Sequence, residues 1–292
     1  MNQQPLFSLI TPSYNTVKYV QEMIDSVFAQ TYINWELIII DDCSTDDSWQ
    51  YLQQYANHPQ ISIYQNDRNR GVGHSYHRAS YLAKGEIIGI LDPDDSLATN
   101  DALEIMVKHH LHYKDSGIIC SRHYAFNEWQ GILWESAPRD KDENLSYLTD
   151  RENHAEHFIT FKREPYRLVG GINPTYRNAP DQDLYFRMEE VSKITFVDDI
   201  LYNYRITSGG LTRNSYKNMY WHVNSIIISC QRRGIDPEPV VDKLIKQLMQ
   251  PRIDQYNRLL NSRYYKVGYK VLTPIYKTKD FLSRIFKPKR GI

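Results

Sequence analysis

The sequence is poor in cysteine, in net charge and in long apolar runs, and each shortage removes a class of protein. Of 292 residues only three are cysteines, and Cys43, Cys120 and Cys230 are far apart. With no Cys-x-x-Cys and no Cys/His ligand spacing, neither a disulfide framework nor a structural zinc is expected, and a reducing cytoplasm is the default compartment. The 35 Lys and Arg are cancelled by 35 Asp and Glu. That balance excludes the overall basic charge that drives nonspecific nucleic-acid binding, so no nucleic-acid partner is expected. No apolar run approaches the ~20 residues that span a bilayer. The opening MNQQPLFSLITPSYN lacks the basic region of a signal peptide, so the chain reads as neither secreted nor integral to a membrane. There is no Walker loop, Gly-x-Ser-x-Gly elbow or His-Glu-x-x-His. What is present is 41% hydrophobic residues, too many for disorder, in a length suited to one large or two modest domains.

From residue 6, short β-branched runs alternate with helical periods. LFSLIT (6–11) predicts a strand, and Tyr19, Val20, Met23, Ile24, Val27 and Phe28 follow at helical spacing. ELIIID (36–41) predicts a strand buried on both faces, as in a parallel sheet. Ser44 or Thr45 is positioned to cap the next helix, with Asp46 and Asp47 favourable to its dipole. ISIYQ (61–65) and EIIGILD (86–92) predict further strands, separated by a helix over 73–84. Strands alternating with helices argue for an α/β, doubly wound and mostly parallel sheet, with its ligand site at the carboxyl ends of the strands. A helix over 101–113 and a strand near 117–125 follow. The polar stretch Ser136–Asn153 reads as a surface loop able to move. HFITFKRE then suggests a strand, LVGG a turn, DQDLYFRMEEV a helix and ITFVDDILYNYRI a pair of short strands. From Ser215 the pattern is helical, which divides the chain into an α/β domain over 1–214 and a helical C-terminal region over 215–292.

Three aspartate groups lie at or just beyond strand ends: Asp41-Asp42, Asp92-Pro93-Asp94-Asp95 and Asp181-Gln182-Asp183. Charge at such positions needs solvent, hydrogen bonds or a metal, although Asp-Pro and Asp-Asp also simply form turns. Their setting decides what they resemble. TPSYN after the first strand, DDCSTDDS after the second, NRGVG before a helix, LDPDDS after the fourth and LVGGINPTYRNAPDQDLYFRM further on together resemble glycosyltransferase family 2, with its GT-A fold. The resemblance covers about residues 6–210 and implies an inverting, metal-dependent hexosyltransferase of polysaccharide biosynthesis.

Carried across residue by residue, the resemblance implies that Thr11, Pro12 and Tyr14 flank the nucleotide base and that Asp42 accepts a hydrogen bond from the pyrimidine, probed best as UDP. Asn69 and Gly71 would complete the donor site. Asp92 would contact the ribose or a metal-bound water, and Asp94 would ligate Mg2+ or Mn2+ on the diphosphate, with Asp95 a reserve ligand. Asp181 corresponds to the catalytic base. Asp183 would hold the helix start or the acceptor, and His157 corresponds to a histidine near the donor, or is simply packed. The acceptor would be a hydroxyl of a glycan or lipid-linked molecule. The chain departs from the family at Cys43, where glycine is usual and which is tolerable if the backbone is not left-handed. It departs again at Ser75, Tyr76 and His77, which replace Ala-Arg-Asn, and at Thr207, which stands in place of a histidine.

Two rival functions are weaker. Gly71-Val72-Gly73 starts a dinucleotide fingerprint, but Tyr76 occupies its final glycine position. A noncatalytic carbohydrate- or nucleotide-binding protein on the same fold has no chemical need for Asp42, Asp92, Asp94 and Asp181 together. His109, His110 and His112 lie on a helix and read as a solvated face, although His109 and His112 could share a side as metal ligands; His74 and His77 are similar, with a Gly turn nearby that favours a functional role more. Residues 263–292 carry nine Lys and Arg against Asp280 alone, a local charge of +8, interleaved with aromatic and aliphatic residues. This suits either peripheral contact with an anionic cytoplasmic membrane face or a solvated basic end.

Overall fold

The computed structural model describes residues 4–138, 146–149, 157–177, 180–207 and 215–261. Strand β1 (Phe7–Ser13) is buried along its whole length, because it lies between two parallel neighbours and under helices on both faces. Helix α1 (Val20–Phe28) turns Val20, Met23, Ile24 and Val27 inward, one apolar stripe at helical spacing. Strand β2 (Trp35–Asp41) follows, then α2 (Ser48–Leu52), β3 (Ile61–Gln65), α3 (Val72–Leu82), β4 (Ile87–Ile90), the short β5 (Ser96–Leu97) and α4 (Ala102–His112). Next come β6 (Ser116–Asn127), β7 (Gly131–Glu135), β8 (Ile159–Lys162), α5 (Arg163–Leu168), α6 (Pro180–Glu189), β9 (Lys193–Arg205), α7 (Ser215–Arg233) and α8 (Pro237–Asn261).

Among the described residues nine strands form one sheet in the order β3-β2-β1-β4-β8-β6-β9-β5, with β7 on β6. Strands β1 to β4 are mutually parallel, β8 runs antiparallel to both β4 and β6, and β9 is parallel to β6. The expected doubly wound, mostly parallel α/β architecture is therefore present, and the parallel half brings the carboxyl ends of β1, β2 and β4 to one edge. Phe7, Leu9, Leu37, Ile39, Phe158 and Tyr202 belong to the core beneath that edge.

Several local expectations are corrected. The segment expected as two short strands is the single thirteen-residue β9. Its Asp198-Asp199 pair, which looks like a turn, falls between Phe196 and Ile200 where the pairing with β6 shifts register. Ser44 and Thr45 do not cap α2. The Ser44 hydroxyl donates to Asp41 at the end of β2 at 2.5 Å and accepts from the Asn15 amide at 2.9 Å, and the Thr45 amide donates to the Asn15 side chain at 2.8 Å, so both tie the β2–α2 loop to the turn after β1. His110 is not on a solvated face: it is buried against Thr160, 2.7 Å from its hydroxyl, and burial pushes its pKa down to about 3. Within the stretch expected as a surface loop, Tyr147 and Leu148 are buried, and the Tyr147 amide donates to Glu189 of α6.

The chain divides into two compact units, Met1–Pro237 and Glu238–Ile292. In the first, α7 is fastened to α6 by Arg233–Glu189 at 2.8 Å and Arg232–Glu190 at 2.6 Å. In the second, α8 is the described element, and the basic tail from Arg263 onward lies outside the described residues. Among the described residues no helix is long and apolar enough to cross a membrane.

Cys43 has φ of 61°, in the left-handed region after all. A side chain there costs ~1–2 kcal/mol, part of which glycine returns as unfolded-state entropy. Cys43→Gly is expected to raise the denaturant midpoint modestly, and Cys43→Val to lower it, at unchanged slope. A lower midpoint for the glycine variant would mean that the cysteine is held by packing instead.

Candidate active site

The two aspartate pairs at the ends of β2 and β4 are built in opposite ways. Asp41 and Asp42 are buried and satisfied from within the protein. Asp41 accepts from the Ser44 amide and the Gln65 side chain, both at 3.0 Å. Asp42 accepts from the Asn66 amide group at 2.7 Å and the Arg70 N–H at 2.9 Å on one oxygen, and from the Gly71 N–H at 2.8 Å on the other. Asp42 thus holds the β3–α3 loop, including Asn69 and Gly71, in place. Gly71 adopts φ of 92°, a conformation that side chains avoid. Two residues on, Gly73 admits no Cβ at all, since one would lie 2.2 Å from the Tyr176 carbonyl oxygen. The start of α3 therefore rests directly on the backbone of residues 173–176.

Of the other residues expected at the donor, Thr11 and Pro12 are buried at the end of β1, with the Thr11 hydroxyl donating to the Leu91 carbonyl at 2.7 Å. Tyr14 projects outward, 45% exposed, and Asn69 is exposed on the loop that Asp42 holds.

The Asp92–Asp95 turn after β4 has its backbone pinned from β9. The Asp92 N–H donates to the Tyr202 hydroxyl at 3.0 Å, Arg205 Nε donates to the Asp94 carbonyl at 2.8 Å, and the Arg205 N–H donates to Asp95 Oδ1 at 2.7 Å. The Arg205 guanidinium is itself buried, faces the rings of Tyr19 and Phe126 with centroids at 5.1 Å and 4.5 Å, and pairs with Glu22. From α3, the Tyr76 hydroxyl donates to Asp92 Oδ1. Asp95 faces inward, whereas Asp92 and Asp94 are only half-buried.

Asp181 stands half-buried in the first turn of α6, close enough for Asp92 to act on it electrostatically. Burial, then the charge of Asp92, pushes its pKa up to about 6, with the backbone and the Tyr185 hydroxyl opposing. Asp94 is likewise pushed up to about 6 by burial and by Asp92, and Asp92 and Asp95 are raised chiefly by burial. Asp183 is a different object. It is buried and takes Arg187 through Nε at 2.9 Å and Nη2 at 2.6 Å, while Arg187 also donates to the Val169 carbonyl. The ion pair lies within α6 and fixes the guanidinium, whose bond to Val169 ties the helix to the turn after α5. His157 lies against Tyr202 and Tyr204, with ring centroids 5.1 Å and 5.3 Å away.

The structure thus gathers Asp92, Asp94, Asp95 and Asp181 into one acidic notch and sets Asp42 beside it as a loop anchor. Sequence reasoning missed Tyr202 and Arg205 and met Tyr76 only as a departure. The available signal was the inward face of α3, where Gly73, Tyr76 and Ala79 are buried at helical spacing and point toward the strand ends. Ser75 and His77, the other departures, brace Asn66 at 3.0 Å and the Ile172 carbonyl at 2.9 Å.

Half-buried carboxylates whose pKa values are raised by burial and by the charge of Asp92 supply hard oxygen donors with an unmet need for positive charge, and so fit Mg2+ or Mn2+. Among the described residues no three His, Cys, Asp or Glu side chains form a metal cage. Sites that hold such cations with one or two carboxylates and substrate phosphates need no cage.

A Rossmann-like parallel half continued by antiparallel strands, with acidic turns at its switch edge, defines the GT-A class of nucleotide-sugar-binding folds. The chain belongs to glycosyl transferase family 2, whose model matches residues 8–170. Asp181 and Asp183 lie beyond that span. Over 213 residues the chain is 32% identical to the chondroitin synthase of Escherichia coli, covering 70% of this chain but 29% of that protein, so it spans under a third of that relative's length. Staphylococcus aureus TarS in complex with UDP-GlcNAc has the same fold, with a TM-score of 0.69 at 18% identity over 84% of this chain and 73% of that one. So does the Pyrobaculum calidifontis mannosyltransferase PcManGT in complex with GDP-Man and Mn2+, with a TM-score of 0.63 at 16% identity over 98% and 88%.

A carboxyl whose folded pKa is raised binds protons in the native state that the unfolded chain does not. Its penalty is therefore relieved as pH falls from above about 6 toward the unfolded value near ~3.9. The ligand-free protein is expected to melt higher at pH 5.5 than at pH 7.5 through these groups. Asp94→Asn is expected to raise Tm at pH 7.5 and to shrink that difference. A lower Tm for the variant at both pH values would show that Asp94 stabilises the turn.

Proposed function

We propose that this chain is an inverting glycosyltransferase that moves a sugar from a nucleotide-sugar, with a uridine diphosphate carrier, to a hydroxyl of a glycan or lipid-linked acceptor. The observation that carries the reading is the pairing of one acidic turn, Asp92–Asp95, with a separate carboxylate, Asp181, whose pKa is raised to about 6. A noncatalytic binding protein has no use for a proton acceptor kept half-buried beside a second carboxylate group, and the relatives' names as synthases and transferases agree.

In this reading the end of β1, with Thr11, Pro12 and Tyr14, borders the nucleotide base, and Asp42 keeps the Asn69–Gly71 loop shaped around it. Asp92 and Asp94 face the ribose and diphosphate. Asp94 is better placed than Asp95 to hold Mg2+ or Mn2+, because Asp95 is 2% exposed and spends Oδ1 on Arg205. A bound cation there would offset the charge that accumulates on the departing diphosphate. Asp181 accepts the proton of the acceptor hydroxyl as the oxygen attacks the anomeric carbon, a contribution of ~10²–10⁴-fold for a placed general base. The bond to the diphosphate oxygen breaks on the opposite face, so configuration inverts. Asp183, held by Arg187, sets the start of α6 and through it the place of Asp181.

UDP with Mn2+ is expected to raise Tm, by mass action on the native state alone. Asp181→Asn should keep that shift while lowering transfer by orders of magnitude, and wild-type kcat should fall about tenfold per pH unit below about 6 as Asp181 protonates. No shift with UDP, GDP or dTDP plus metal would overturn the donor reading. Near wild-type transfer by Asp181→Asn would move the base elsewhere.

The segregated +8 charge of residues 263–292 supports a cytoplasmic site of action on the inner membrane face, with the tail carrying the active site to a lipid-linked acceptor. Full-length protein is expected to sediment with anionic vesicles at low salt and to release as salt is raised, whereas a chain ending at Asn261 stays in the supernatant. Equal recovery of both in the supernatant would assign the tail to intramolecular contacts.

A further inference from the structure

The backbone of the Asp92–Asp95 turn is fixed without help from α3. Tyr202 holds the Asp92 N–H, the Asp95 N–H donates to the Asp92 carbonyl at 3.1 Å, and Arg205 holds both the Asp94 carbonyl and the Asp95 carboxylate. The side chain of Asp92 is another matter. Among the described residues its carboxylate has one hydrogen-bond donor, the Tyr76 hydroxyl. Asp94, Asp95 and Asp181 all feel the charge of Asp92 and are raised by it, so each repels it in turn. A carboxylate surrounded by three others and tethered by one phenol points where the phenol directs it.

We propose that Tyr76 is a positioning residue for donor binding: its hydroxyl, carried on the inward face of α3, holds the Asp92 carboxylate toward the site against the repulsion of its acidic neighbours. The inference rests on the donor role given to Asp92 above. Two features separate this from ordinary packing. Tyr76 is 6% exposed, and phenylalanine would fill the same space, so the hydroxyl adds nothing to the apolar core. Burial and the surrounding carboxylates keep the phenol protonated, so it is a permanent donor with a single acceptor. The helix that carries it starts at the loop held by Asp42, so the two aspartates on either side of the nucleotide site are tied to one element, Asp42 through the amide of Gly71 and Asp92 through Tyr76.

The test is a double-mutant cycle in the full chain with Tyr76→Phe, Asp92→Ala and the pair, read by calorimetric titration of UDP in the presence of MnCl2. Tyr76→Phe is expected to keep Tm within about 3 °C of wild type and to weaken UDP binding about ten-fold, the loss expected for a hydrogen bond to a charged group. The double variant is expected to bind no more weakly than Asp92→Ala alone, a result that a merely structural tyrosine would not produce. UDP affinity unchanged in Tyr76→Phe, or losses that add fully in the pair, would overturn the proposal. The same cycle is read in unfolding without nucleotide, where coupling between the two substitutions is expected whether or not any nucleotide binds. Absence of that coupling overturns the role of Tyr76, whereas coupling in a wild-type protein that binds no nucleotide overturns the donor reading alone.

Discussion

Repulsion among Asp92, Asp94, Asp95 and Asp181 is the constraint around which the rest of the structure is arranged. Each sits where water is scarce, and the charge of Asp92 raises the proton affinity of the other three, so the notch is held together against its own charge. The protein answers with fixed dipoles and rigid backbone. Arg205 comes from β9 with its guanidinium clasped by two rings, Tyr202 supplies a hydroxyl from the same strand, and the first turn of α6 offers Asp181 the positive end of a helix. None of these cancels the charge, and what remains uncancelled is the attraction that the site exerts on cationic and polar partners.

Asp41-Asp42 and Asp94-Asp95 look alike on paper, and the contrast between them shows how hydrogen bonding decides what a carboxylate does. Asp42 receives two backbone N–H groups and a side-chain amide, so its burial is compensated and it acts as a mould for the β3–α3 loop. Asp94 receives no such set, and its burial remains as stored proton affinity. Asp183 shows the same rule on α6, where a forked arginine converts a carboxylate two residues from Asp181 into a brace.

The parallel half of the fold was legible because β1, β2 and β4 are short runs of apolar and β-branched residues, a pattern that buried parallel strands require. The antiparallel half was less so. In β9 the Asp198-Asp199 step sits in a register shift, and alternation alone cannot tell a bulge from a turn. His110 was misplaced because a polar residue at a helix position reads as solvated unless its partner, Thr160, is known, and that partner is fifty residues away. The aspartates themselves stood out, since charge beside apolar strand ends demands an explanation. Tyr76, Tyr202 and Arg205 did not, because their importance lies in hydrogen bonds between elements that only the folded chain brings together. Cys43 shows the reverse case: its left-handed backbone was the outcome that sequence reasoning had counted against it, and the chain carries the strain.

The close seating of Gly73 on the carbonyl oxygens of Tyr176 and Asn173 reaches beyond packing. Gly71 ends the loop shaped by Asp42 and Gly73 lies in the first turn of α3, while residues 173–177 precede the helix that bears Asp181, with the Arg177 side chain lying against Gly71. At this seam one side contributes only a hydrogen atom. In evolutionary terms position 73 is closed to every other amino acid unless the backbone across from it moves too, so the two segments are free to vary only in concert. A lineage that changed the 66–73 segment would have to re-set the approach to Asp181 in the same step, and recombination between relatives should preserve both segments together or lose both.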